Sequence, residues 1–187
     1  MTDTIVLLVG KSGTGKSTLA KRLCKDLSWE EVQSFTTRPP RSKSERGHIF
    51  VGDQVFDIVV ENAVAYTVFN GYRYCTTEQQ INNCDVFVVD PDGVETLKES
   101  YKGKKRLLIF YLIASENTRR ERMLSRGDSP LKVSERIMND EDAFIGLTRL
   151  TPMVILDAEK PVEQLVKDVC MIMNIPCSKR KVRVMKY

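Results

Sequence analysis

The sequence holds little of what builds a metal centre or a disulfide scaffold. There is one histidine, His48, and the five cysteines (Cys24, Cys75, Cys84, Cys170 and Cys177) include no CxxC pair. No zinc-ligand spacing can be assembled from this set. An odd number of scattered cysteines speaks against a disulfide framework and for a reducing, cytoplasmic compartment. Long apolar runs are also missing. The longest clean one near the N-terminus, residues 5–9, is too short for a signal-peptide core or a membrane span. There is no internal repeat, and only the last ten residues are of low complexity.

What remains has the balance of an ordinary globular domain: 187 residues, 42% hydrophobic and 29% charged. That length buries a sizeable core without a staple and predicts one domain with room for a smaller inserted lobe. The net charge of +4 hints at a nucleic-acid partner until it is divided. The last ten residues hold Lys179, Arg180, Lys181, Arg183 and Lys186 and no acid, so residues 1–177 carry a net −1. The excess belongs to a tail that suits a solvated chain end and leaves contact with nucleic acid or an acidic partner open.

Residues 5–9, Ile-Val-Leu-Leu-Val, read as a strand buried on both faces. A glycine-rich loop follows, and residues 16–27 read as a helix with Leu19, Leu23 and Leu27 on one face. Residues 32–36 form a short strand before a charged loop, and residues 51–61 a short helix. Residues 63–69 and 72–75 flank Asn70-Gly71, a strong hairpin signal. Strands are predicted at 86–89, 106–113 and 153–156. Helices are predicted at 92–101, after the N-cap Ser115, over 132–149 and from Pro161 onward. Cys24 and Cys170 fall in helices and read as buried small hydrophobes. This alternation predicts an α/β fold with a parallel sheet between two helical layers.

Two segments carry chemistry. Gly10-Lys-Ser-Gly-Thr-Gly15-Lys16-Ser17 fits GxxxxGK[ST] between a strand and a helix. Glycines let successive N–H groups turn inward around an anion, and the helix N-terminus adds its positive dipole end. Lys16 would reach the β- and γ-phosphates of a nucleoside triphosphate, and the Ser17 hydroxyl would ligate Mg²⁺, which prefers hard oxygen ligands. The second segment is Ser34-Phe-Thr-Thr-Arg38-Pro-Pro-Arg41. Two guanidiniums on a proline-stiffened loop make a bidentate phosphate clamp. On composition alone, a solvated charged loop fits these residues equally well.

The two segments together resemble the guanylate kinase family. Gly10-Lys-Ser-Gly-Thr-Gly-Lys-Ser-Thr18 is similar to that family's phosphate loop, and residues 34–41 are similar to its monophosphate-binding loop. Arg46-Gly-His-Ile-Phe-Val51, Phe69-Asn-Gly-Tyr-Arg-Tyr-Cys-Thr-Thr77, Asp90-Pro-Asp-Gly-Val94 and Arg122-Met-Leu-Ser-Arg-Gly127 followed by Arg136 match later segments in order, so the likeness spans about residues 4–175. It implies a P-loop core from residues 1–33 and 82–177 with a lid near 122–140, a monophosphate-binding lobe at 34–81 and a basic tail at 178–187. The implied ATP site is Gly10, Lys11, Ser12, Gly13, Thr14, Gly15, Lys16, Ser17 and Thr18. Ser34, Arg38, Arg41 and Tyr74 would hold the acceptor phosphate, with Thr76 and Asp90 near the base, and His48 would either donate to that phosphate or stand as an exposed loop residue. Arg126 and Arg136 would close over the transferring group, where fixed guanidiniums stabilise spread charge.

The sequence departs from the family at three places. Held against Gly93, the family's Asp-x-Asp before the helix puts its first acid on Val88, and Asp90 and Asp92 restore the pattern only after a two-residue shift. Two further departures are single residues. Ala65 stands where the family carries a guanine-reading glutamate, and His48 where it carries a tyrosine. Both departures bear on acceptor specificity more than on the kinase chemistry. The expected function is ATP- and Mg²⁺-dependent phosphorylation of a nucleoside monophosphate, GMP or dGMP, by a cytoplasmic monomer or homodimer with no membrane partner. The alternatives are a related kinase for another (deoxy)nucleotide or sugar phosphate, and a non-catalytic module that holds phosphopeptides. An intact triphosphate cradle argues against the last.

Overall fold

A computed structural model describes residues 2–40, 45, 47–69 and 71–177. In chain order the elements are β1 (Thr4–Val9), α1 (Lys16–Leu27), β2 (Ser34–Thr36), β3 (His48–Phe50), α2 (Asp53–Val60), β4 (Ala63–Phe69), β5 (Tyr72–Thr77), α3 (Glu78–Asn83), β6 (Val86–Val88), α4 (Pro91–Ser100), β7 (Arg106–Ile113), α5 (Glu116–Ser125), α6 (Pro130–Ala143), β8 (Val154–Asp157) and α7 (Val162–Met173).

The core sheet is parallel, in the order β6-β1-β7-β8. Ile5 to Val9 are wholly buried, as a continuous apolar strand between two helical layers must be. Alternate residues of β1 serve different layers. Val6 and Leu8 join Leu19 and Leu23 of α1 and Leu165 and Val169 of α7. Ile5, Leu7 and Val9 pack with Val94 and Leu97 of α4 on the other face.

A second sheet, ordered β3-β2-β5-β4, is antiparallel except for the β2–β3 pair. Its strand β4 lies against α4, and Val64 and Ala65 enter the same apolar cluster as Phe87 and Val94. That shared cluster ties the second sheet to the core. The pairing of β4 with β5 shifts register between Ala63 and Ala65, an irregularity that locally re-aims the strand.

Helices α5 and α6 form a projecting hairpin. Ser115 and Ser129 cap them by accepting from the backbone N–H of Thr118 and Lys132. Their interface is a small apolar cluster of Met123, Val133 and Ile137. Among the described residues, no helix is long and apolar enough to cross a membrane.

Three expectations need correction. The helix expected over 132–149 ends at Ala143, because Gly146 takes a left-handed φ of +81° and a 3-10 turn, Leu147–Leu150, follows. That turn delivers Leu150, fully buried, into the second apolar cluster, a tertiary gain that outweighs continued helix. Strand β3 and helix α3 were not foreseen. β3 is three residues long and is held only by pairing with β2, and α3 is a short polar helix with a Thr77/Gln80 capping box. Cys170 is buried as expected, but Cys24 is only half-buried.

Candidate active site

A cavity of about 580 Å³ opens where the phosphate loop, the second sheet and the α5–α6 hairpin meet. At one end, residues 10–15 lead from β1 into α1. Gly15 caps α1 in the left-handed conformation, φ +96°, without a side-chain cap, so the first amides of α1 remain open to an anion. Gly13 has no substitute: at φ +81°, a Cβ there would stand 2.6 Å from the backbone oxygen of Arg119. The loop therefore rests directly on α5.

Lys16 is turned inward and donates to the carbonyls of Gly10 and, at 3.1 Å, Lys11. Burial pulls its pKa down to about 8, against the opposing pull of Asp140 and Asp90. Ser12, Gly13, Thr14, Gly15, Ser17 and Thr18 line the same end of the cavity. Lys11 is not part of the wall; its ammonium lies 2.5 Å from Glu141.

The other end is built by the second sheet. Ser34 and His48 face each other across β2 and β3, with Ser34 Oγ and His48 Nδ1 hydrogen-bonded at 2.9 Å. The His48 ring meets Tyr74 edge-on at 5.5 Å between centroids. Ala65 and Thr76 are cross-strand partners on the cavity wall. Thr76 Oγ1 is buried on this wall with no hydrogen-bond partner among the described residues. The Asp90 carboxylate accepts from the Gly93 N–H at 2.8 Å, and burial pushes its pKa up.

Arg38 behaves differently from expectation. It does not line the cavity. Its guanidinium donates to Glu45 at 2.7 and 3.3 Å and to the Pro39 carbonyl, and it lies 5.4 Å from the centre of the Phe50 ring. Burial opposes its charge, but Glu45 and Tyr74 together outweigh that, and the pKa is raised. Arg41 lies outside the described residues.

The hairpin supplies the roof. Arg126 and Arg136 both reach the cavity. Arg126 donates to Asp128 at 2.6 and 2.8 Å, and Arg136 Nε lies 4.0 Å from the same carboxylate. Burial pushes the Arg136 pKa down, and its Nε has no hydrogen bond among the described residues. An under-satisfied buried guanidinium facing a cavity favours an incoming anion.

Three residues at the site escaped the sequence reading. Arg122 donates to the Ala158 carbonyl at 2.9 Å and approaches the Thr14 carbonyl beside the loop. Arg119 and Asp140 form a buried ion pair at 3.0 Å beneath the loop. Arg122 lies four residues before Arg126 and Asp140 four after Arg136, so helical spacing alone could have flagged both as neighbours of the lid arginines.

Comparison with known proteins is consistent with this geometry. A model of the AAA domain family matches residues 6–145. A guanylate kinase of Ruegeria pomeroyi is 34% identical over 153 residues, covering 74% of this chain and 70% of its own. That of Ruegeria sp. TM1040 is 35% identical over 153 residues, covering 74% and 69%. Among solved structures, a guanylate kinase from Anaplasma phagocytophilum superposes with a TM-score of 0.63 at 16% identity, covering 94% of this chain and 88% of that one. A sugar kinase from a Janibacter species reaches 0.53 at 15% identity, covering 93% and 96%. At such low identity the two structures speak for the fold alone.

Proposed function

This chain belongs to the guanylate kinase family, and on that premise we propose that it transfers the γ-phosphoryl group of ATP to GMP or dGMP. The observation that carries the reading is one cavity with an open helix N-terminus and Lys16 at one end, Ser34, His48, Tyr74 and Thr76 at the other, and two arginines above.

The phosphate loop would bind the triphosphate through its amides and the N-terminus of α1. Lys16 would give up its two carbonyl bonds for phosphate oxygens, and the anion would raise its depressed pKa. The acceptor phosphate would sit against Ser34, His48 and Tyr74, with Arg38 and Arg41 behind it. An oxygen of that phosphate attacks the γ-phosphorus in line, so no protein nucleophile is needed. Arg126 and Arg136 would neutralise charge on the transferring group, and closure of the hairpin would exclude water as a competing acceptor.

Mg²⁺ fits the donors present. Ser17 offers a hard oxygen at the start of α1, and an ion carried on ATP needs few protein ligands. When bound it would neutralise charge between the β- and γ-phosphates. Five free cysteines fit a cytoplasmic setting.

The test is turnover of ATP against a panel of GMP, dGMP, AMP, pyrimidine monophosphates and sugar phosphates. Turnover with GMP or dGMP is expected. Turnover only with a pyrimidine or sugar phosphate would overturn the acceptor, and no turnover with any would overturn the kinase reading.

A further inference from the structure

Asp140 is a buried acid at an anion site, which is an electrostatic liability unless it has a task. It is 1% exposed. One carboxylate oxygen accepts from the backbone N–H of Ser12 at 2.8 Å and from Arg119 Nη1 at 3.0 Å, and the other accepts from Ser12 Oγ at 3.0 Å. Ser12 is in the phosphate loop, Arg119 is on α5, and Asp140 itself is on α6. One carboxylate therefore joins the loop to both helices of the hairpin. Arg119 serves the junction twice: its guanidinium neutralises Asp140, and its backbone is the surface on which Gly13 rests. Lys11 and Glu141 add an exposed strut one residue along on both elements.

Arg136 lies one helical turn before Asp140 on α6, and both reach the cavity. Residues four apart share a helix face. Anchoring Asp140 on the Ser12 amide therefore fixes how far Arg136 stands from whatever the loop holds. We propose that Asp140 is a positioning residue that couples the phosphate loop to α6 and sets the reach of Arg136 toward the transferring phosphate. This rests on the kinase reading above. It explains why the protein tolerates a carboxylate beside a triphosphate site: the charge is offset by Arg119, and what is kept is a rigid link between two groups that must act on one phosphate.

Misplacement of a catalytic group by about 1 Å can cost about a hundredfold in rate. Asp140→Ala is expected to lower kcat about 30- to 100-fold, with the acceptor KM moving less than about threefold. Asp140→Asn still accepts from the Ser12 amide and is expected to recover most of the loss. A merely structural ion pair is separated by Arg119→Met/Asp140→Leu, since apolar replacement of a buried pair commonly preserves stability. This variant is expected to melt near the wild type yet remain as slow as Asp140→Ala. Hydrogen exchange of the peptide carrying residues 10–15, without nucleotide, is expected to speed up at least about tenfold in both. Wild-type kcat in Asp140→Ala or in the double variant would overturn the proposal. So would unchanged exchange in residues 10–15, whether or not the wild type turns over GMP; failure of the wild type with every acceptor would instead overturn the kinase reading. If Asp140→Ala does not fold, the double variant and Asp140→Asn decide.

Discussion

The two ends of the cavity are built by different means. The loop end is one continuous stretch, residues 10–18, leading into the uncapped N-terminus of α1, with Lys16 folded back on the carbonyls of Gly10 and Lys11. The second-sheet end gathers side chains from β2, β3, β4 and β5, while Arg38, held by Glu45, stands outside the cavity lining. Backbone recognition depends on dihedral angles and so on glycine at two positions. Side-chain recognition depends on register between strands, and it tolerates exchange of one residue for another. The departures from the family named above, at Ala65, at His48 and in the register of Asp90 and Asp92, all fall outside residues 10–18.

The sharpest way to break this contrast is Lys16→Ala. Loss of the buried ammonium at the loop end is expected to lower kcat at least about a thousandfold, in the upper range for a group that stabilises transition-state charge. Steady-state rates at saturating ATP and acceptor, with a thermal melt to show an intact fold, would check it; near-normal turnover would contradict the role of the loop.

Arg38→Ala tests the side-chain end. Its expected signature is a rise of about 10- to 100-fold in acceptor KM, as for loss of a charged hydrogen-bonding partner, with a smaller change in kcat. Glu45→Gln should act in the opposite direction, because it weakens the bonds that hold Arg38 away from the cavity. Equal loss of kcat and of kcat/KM in Arg38→Ala would place that residue in the transition state instead.

The loop end should also respond to pH in a way the other does not. With Lys16 near a pKa of about 8 in the empty protein, the form that binds phosphates is lost as pH rises through that value. ATP affinity is therefore expected to fall about tenfold from pH 7 to 9, with proton uptake on binding. Calorimetry in two buffers of different ionisation heat measures both. An affinity that is flat across this range would show that Lys16 remains charged.

The smallest expected effect is at Thr76. Thr76→Val keeps shape but removes the unpartnered hydroxyl. An acceptor KM about five times higher is expected if that hydroxyl binds the ligand, as for one hydrogen bond. A more stable protein with unchanged KM would mean that the hydroxyl is merely unsatisfied.

Legibility followed the same division. The register of apolar residues in β1 and the α1 leucines announced themselves, because burial on both faces of a strand or one face of a helix leaves a periodic mark. Residues 10–18 were readable as a strand–loop–helix junction carrying the GxxxxGK[ST] pattern, because that pattern is local in the chain. Strand β3 was not readable: His48-Ile-Phe50 has no alternation long enough to register and exists through its pairing with β2. The end of α6 was missed because the apolar pattern runs on through Leu150, although Gly146 offered a cue.

By itself, the sequence determined the α/β alternation, the phosphate loop and the segments that carry the family likeness, since each depends on residues close together in the chain. Tertiary structure alone decided that Thr76 faces Ala65 on the cavity wall and that Asp140 reaches back across 128 residues to Ser12. Such contacts are set by how sheets and helices pack. No local propensity encodes them, because their energy exists only once the distant segments have met.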